Sequence, residues 1–254
     1  MRAQVQAPFP VAAAGASIEW ANRVTARRFA PLRLLVTLPA CLAALLGCNG
    51  ESPSSSPTGP DELAAIPIVV ALGDSLTAGP GLAAEETYPA VLQQRLRAGG
   101  YRHRVINAGV SGDTSAGGLR RLDGALVENT AVLILALGAN DGVQGVPVAE
   151  VKRNLSEIIE RTKERSIRVL LCGMETPPTR GLNYSIAFHR VFPELSAEHQ
   201  VPLVPFLLTG VVGDPEFNLG DRIHPNAAGA RRIAETIWPY LEPLLSAASS
   251  ASAR

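Results

Sequence analysis

The sequence predicts an α/β fold, a three-layer α/β/α sandwich around a flavodoxin-like, five-stranded parallel sheet of order 2-1-3-4-5. Three observations carry that expectation. From residue 66 onward, short apolar runs alternate with helical patterns, the signature of a parallel sheet covered by crossover helices. The run AVLILAL at 131–137 shows no polar alternation, as expected of a strand buried on both faces. Polar, glycine-rich motifs follow the apolar runs, at the strand ends where such sheets bind ligands.

Taken in order, IPIVVAL (66–72) reads as the first strand and YPAVLQQRLRAG (88–99) as an amphipathic helix. HRVINA (103–108) is the second strand. SAGGLRRLDGAL (115–126) is a helix diluted by glycines, and 131–137 is the third strand. VAEVKRNLSEIIERTKER (148–165) is a strong helix, with Val151, Leu155, Ile158 and Ile159 on one side. IRVLLCG (167–173) is the fourth strand. NYSIAFHRVFPELSAEHQ (183–200) is a helix expected to kink near Pro193. VPLVPFL (201–207) is the fifth strand, and NAAGARRIAETIWPYLEPLL (226–245) closes the domain as a helix capped by Asn226.

The segments outside this pattern read differently. Arg23, Arg27, Arg28 and Arg33 precede the apolar run LLVTLPACLAALLG, which fits the hydrophobic region of a signal peptide and is short for a bilayer span. It ends in LLGC, which resembles a bacterial lipobox with Cys48 as the lipidated residue. Residues 1–48 are therefore read as an export segment and 49–65, rich in Ser, Pro and Gly, as a flexible linker. The domain is placed at 66–246 and a disordered tail at 247–254. With Cys41 removed and Cys48 lipidated, only Cys172 remains, so no internal disulfide is expected and Cys172 reads as a small core residue. The expected location is the periplasm or the outer membrane, with membrane contact through the lipid anchor.

Formal net charge is zero over 254 residues. Five arginines and Glu19 fall in the first 47 residues, leaving 18 basic against 22 acidic side chains, a net of −4. That balance, with few aromatic residues, excludes a nucleic-acid-binding surface.

Four motifs stand at the strand ends. GDSLTAG follows strand one, NAGVSGDTS strand two and GAND strand three, while DRIHPN opens the last helix. In a 2-1-3 order, strands two and three flank strand one, so Gly112 and Asn140 can approach Ser75 from either side. Ser75 is a candidate nucleophile whose backbone N–H also faces developing negative charge. Gly112 has no side chain to keep its N–H from an oxyanion, and Asn140 offers a neutral donor to the same oxygen. His224 is the candidate base, and Asp221, three residues earlier, can hold its other ring nitrogen. Each residue alone has a plainer reading. Ser75 is a helix cap, the 140–142 stretch a turn, and Asp221 with His224 chance or half a metal site. His103, His189 and His199 read as surface or structural residues. The four motifs in order, each at the right strand end, favour the joint reading.

These motifs resemble those of the GDSL-type, or SGNH, serine hydrolases, over residues 66–245. The later blocks NYSIAFHRVFPELSAEHQVPLVPF and LGDRIHPNAAG are similar to the bacterial periplasmic thioesterase–lysophospholipase–arylesterase branch. The resemblance implies a serine esterase acting on carboxylic esters and thioesters through an acyl-enzyme, with no cofactor. It makes Ser75, His224 and Asp221 the triad, and gives the oxyanion hole to Ser75 N–H, Gly112 N–H and the Asn140 side chain. It also makes 142–147, GVQGVP, a mobile substrate loop. The expected partner is a small ester or lysolipid, and the expected state a monomer. A carbohydrate O-deacetylase is the alternative enzyme and a non-catalytic surface lipoprotein the non-enzyme alternative. GPGLAA at 79–84 matches a dinucleotide fingerprint, but lies several residues past the strand and contains Pro80.

Overall fold

The computed structural model describes residues 66–246. The export segment, Cys48, the linker and the tail lie outside the described residues. Five parallel strands run in the expected order, β2-β1-β3-β4-β5. They are β1 (Ile68–Gly73), β2 (Arg104–Gly109), β3 (Thr130–Ala136), β4 (Arg168–Cys172) and β5 (Leu203–Val204). β1 is buried at every position and β3 from Val132 onward, which is why neither shows polar alternation. Edge strand β2 has no buried residue. The Gln93 side chain blunts that edge, accepting from Val105 N (2.8 Å) and donating to the His103 carbonyl (3.1 Å).

The helices are α1 (Ser75–Ala78), α2 (Tyr88–Ala98), α3 (Ser115–Arg120), α4 (Leu122–Ala125), α5 (Ala139–Gln144), α6 (Val148–Glu164), α7 (Leu182–His199) and α8 (Ala227–Ser246). α2 packs on α8, while α6 packs on both α3 and α7. In α6 the buried positions Val151, Leu155, Ile158 and Ile159 form the predicted stripe.

Register decides where the chemistry can sit. Gly73 of β1 pairs with Gly109 of β2 on one side and Ala136 of β3 on the other. Three chain segments therefore leave the sheet side by side at its carboxyl edge, one after each of these residues.

Three local expectations are corrected. The helix expected at 115–126 breaks at Arg121, giving α3 and α4. The fifth strand shrinks to two residues, because Pro202 and Pro205 flank it and lack the N–H that a ladder needs. The 140–142 turn and the first half of the 142–147 loop form α5, with Gly142 N donating to Gly138 O at 3.0 Å. α7 runs from Leu182 to His199 with Pro193 inside it.

Candidate active site

β1 ends at Gly73, where a Cβ would lie 2.0 Å from Thr77 Oγ1 and 2.9 Å from the Ala136 carbonyl, so only glycine lets α1 fold back this tightly. Asp74 caps α1, its Oδ1 accepting from Leu76 N at 2.9 Å. The cap is thus Asp74 and not Ser75, which frees the serine hydroxyl as the first residue of the helix. Asp74 is fully buried. Burial pushes its carboxyl up to about 6, against the pull of the Leu76 N–H and of nearby His224.

His224 arrives on the loop before α8. That loop is pinned at both ends, with Leu219 N donating to His224 O at 2.8 Å and Asn226 N to Phe217 O at 3.0 Å. Asn226 caps α8 as expected, its Oδ1 accepting from Ala228 N (2.9 Å) and Gly229 N (3.0 Å). His224 Nε2 lies 2.9 Å from Ser75 Oγ, and Nδ1 lies 2.5 Å from Asp221 Oδ2. The other Asp221 oxygen accepts from the backbone N–H of Ile223 (3.0 Å) and of His224 (2.9 Å). The bond to His224, followed by these two, holds the Asp221 carboxyl down at about 2. Asp221 is therefore ionised over the working pH range and fixes the ring so that Nε2 faces the serine.

Gly112 lies in a β-turn from Val110 to Asp113, closed by Asp113 N donating to Val110 O at 3.1 Å. Its φ of +81° is that of the third position of a type II turn, which favours glycine. Val110 N donates to the Gly73 carbonyl at 3.0 Å, hanging the turn from the end of β1. Asn140 sits near the start of α5. Its Nδ2 donates to the Asp113 carbonyl at 2.8 Å and lies 3.4 Å from Asp74 Oδ2. Among the described residues, the backbone N–H groups of Ser75 and Gly112 have no acceptor. All five site residues predicted from the sequence within the described part of the chain thus gather at the carboxyl edge of β1–β3.

Ser75 and His224 open into a cleft of about 580 Å³, walled by Leu76, Val143, Met174, Phe206, Leu208 and Ile223. Among the described residues, the acidic side chains of its wall are Asp74, beside Ser75, and Glu175, which pairs with His189 at 2.6 Å. Among the described residues, no group of three or more His, Cys, Asp or Glu side chains is placed to hold a metal, and no helix is long and apolar enough to cross a membrane.

Sequence reasoning missed several supports. Asp74 was legible in principle, since aspartate before a short helix is a favoured cap. Asp141 was not. Fully buried, it accepts from Ser115 N (2.8 Å) and Ser115 Oγ (2.6 Å), tying α5 to α3. Burial pushes its carboxyl upward, against the Ser115 bonds. Arg121 was also missed. It donates to Asp113 Oδ2 (2.6 Å), the Ala108 carbonyl (2.7 Å) and the Gly73 carbonyl (2.9 Å). The histidines read as surface or structural divide. His103 and His199 are buried, and His189 is exposed.

Residues 71–232 match the model of the GDSL-like lipase/acylhydrolase family. The chain is 42% identical over 183 residues to an esterase, TesA, of Pseudomonas aeruginosa, covering 72% of this chain and 91% of that protein. It is 34% identical to a thioesterase 1/protease 1/lysophospholipase L1 of Escherichia coli, covering 72% and 86% respectively. The crystal structure of a psychrotrophic esterase, EstA, from Pseudoalteromonas sp., inhibited by monoethylphosphonate, aligns with a TM-score of 0.67 at 30% identity, covering 70% of this chain and 98% of that one.

Proposed function

Since the chain belongs to the GDSL-like lipase/acylhydrolase family and is a serine ester hydrolase, we propose that Ser75 carries the acyl group, that His224 and Asp221 activate it, and that Ser75 N–H, Gly112 N–H and the Asn140 amide hold the oxyanion. The observation that carries the reading is the unbroken chain Asp221–His224–Ser75, 2.5 and 2.9 Å long, at the mouth of an apolar cleft.

His224 Nε2 takes the hydroxyl proton as Ser75 Oγ attacks the ester or thioester carbonyl carbon. The carbonyl oxygen becomes an oxyanion, and the two acceptor-free N–H groups receive it without breaking any existing bond. Asn140 contributes the N–H that the 3.4 Å contact with Asp74 holds only weakly, keeping its stronger bond to Asp113. His224 then protonates the leaving alcohol or thiol. A water, deprotonated by the same ring, releases the acid.

The apolar walls supply the affinity for an acyl chain, at about 25 cal/mol per Å² covered. Among small aryl esters, acyl thioesters, lysophospholipids and acetylated saccharides, the first three are the expected substrates. Membrane anchoring through Cys48 belongs to the same proposal and rests on residues 1–65 alone. The test is covalent labelling with an alkyl phosphonate, followed by peptide mapping and hydrolysis of that panel. A single label on Ser75, lost together with activity in Ser75→Ala, is expected. Activity surviving Ser75→Ala overturns the assignment, and exclusive cleavage of acetylated saccharides puts the deacetylase reading in its place.

A further inference from the structure

The Gly112 N–H belongs to the central peptide of the 110–113 turn. That peptide is the unit that inverts when a type II turn becomes type I, and inversion points its N–H the other way. An oxyanion donor on such a turn is useful only if the turn is held in one form. Bonds at either end of the turn hold it. At the first, Val110 N is tied to Gly73 O. At the second, the Asp113 carboxylate is tied to Arg121, while the Asp113 carbonyl receives Asn140 Nδ2.

Arg121 is the unusual member. It stands at the break between α3 and α4, and its guanidinium uses three nitrogens on three acceptors. Two of these are the carbonyls of Gly73 and Ala108, at the ends of β1 and β2. The third is the Asp113 carboxylate, whose side chain is only 10% exposed. One rigid planar cation thus locks the spacing of two strand ends to the turn that follows β2, in a fork that lysine cannot copy. Gly117 makes room for this arrangement, since a Cβ there would lie 1.6 Å from Asp113 Oδ1.

We infer that Arg121 and Asp113 are positioning residues for catalysis, the guanidinium–carboxylate brace fixing the Gly112 N–H while the Asp113 carbonyl fixes the Asn140 amide. Neither touches substrate. Both act on the two donors that flank Ser75, so their effect falls on the transition state and spares ground-state binding. The inference rests on the oxyanion assignment above.

The experiment uses the full chain carrying Arg121→Lys, Asp113→Asn or Gly117→Ala, with Asn140→Ala as reference. It measures kcat, KM, melting temperature, and inhibition by an aryl trifluoromethyl ketone, which forms a tetrahedral oxyanion adduct on a serine. Arg121→Lys is expected to lower kcat by about 10–100-fold, a range common for groups that orient catalytic partners. KM should stay within about twofold, and the ketone Ki should rise by the same factor as kcat falls. In Arg121→Ala, added methylguanidine should restore part of kcat. Gly117→Ala keeps every bonding group yet displaces the Asp113 carboxylate, so it should show the same kcat and ketone signature if the arginine variants do not fold. A lower melting temperature with kcat and ketone affinity unchanged overturns the inference, because the brace is then only structural. If Asn140→Ala itself retains kcat, the oxyanion reading fails instead, and the two failures are told apart.

Discussion

Asp74 lends itself to a quantitative test, because it is a fully buried carboxylate with few compensating bonds. Its folded titration lies at about 6, against 3.8 for the free group. The unfolded chain therefore gives up this proton first as pH rises. Asp74 costs the fold nothing below about pH 4, costs progressively more between 4 and 6, and reaches a plateau above 6. A shift of about 2 pH units corresponds to roughly 3 kcal/mol at about 1.4 kcal/mol per unit. Asp74→Asn removes the ionisation and keeps the cap, since asparagine caps helices as well as aspartate does. Like the neutral acid of the wild type at low pH, the asparagine offers the Asn140 amide no ionised acceptor. The variant should therefore be more stable than the wild type by about 3 kcal/mol at pH 8, and nearly equal to it at pH 4. Urea unfolding at pH 4, 6 and 8, followed by far-UV circular dichroism, measures the difference directly. A stability difference that does not grow between pH 4 and pH 8 would refute the burial argument.

Further outcomes follow from other parts of the molecule. Asn140→Ala should fold normally and lose about 10²–10³ in kcat, about 3–4 kcal/mol, with KM little changed, in steady-state ester hydrolysis; near wild-type kcat would count against the donor role. His103 is buried, and neither ring nitrogen has a partner among the described residues. Burial first, and the Arg168 charge second, lower its titration. Its contribution to stability is present above the unfolded value of 6.5 and is lost as pH falls through that value toward the folded one. His103→Leu should flatten the acid limb of melting temperature against pH, and an unchanged limb would exclude His103 as its source. Cys48→Ser should move the protein from the membrane fraction to the soluble fraction or leave an uncleaved precursor. Intact-mass analysis of the wild type should show acyl chains on Cys48, and a mature N-terminus elsewhere would refute the anchor.

Much of the fold was legible because parallel strands buried on both faces leave continuous apolar runs, as at 131–137, and because a long helix such as α6 repeats its stripe over several turns. Short elements gave no such signal. α1 and α5 are four and six residues long, shorter than any window in which a helical period can be read. The grouping of the candidate site residues was legible from chain order. Ser75, Gly112 and Asn140 follow three strands that the 2-1-3 order makes neighbours, and the in-register pairs at Gly73, Gly109 and Ala136 put them level. The supports were not legible, for one physical reason. An arginine in a helical pattern reads as a solvated face, and only the break after α3 lets Arg121 turn back onto the strand ends. Nor does the sequence distinguish an aspartate that is a surface charge from one fully buried against serine, as Asp141 is.

The buried acid beside Ser75 is the clearest conflict between stability and chemistry in the fold. A neutral side chain at position 74 would cap α1 equally well and avoid the ionisation cost above pH 6. What it could not do is accept a hydrogen on both sides. Oδ1 must take the Leu76 N–H to set the start of α1, which holds Ser75, while Oδ2 faces the Asn140 amide. Only an ionised carboxylate offers two acceptors in this position. The same Asn140 nitrogen is fixed on its other side by the Asp113 carbonyl, and Asp113 is fixed in turn by Arg121. The helix that begins at Ser75 and the Asn140 amide are therefore oriented by two acidic residues, one buried and one nearly so. The coulombic repulsion between them adds to the upward shift of Asp74. Such strain persists where a reaction needs donors held in advance of the charge they receive, and a fold selected for stability alone would discard it.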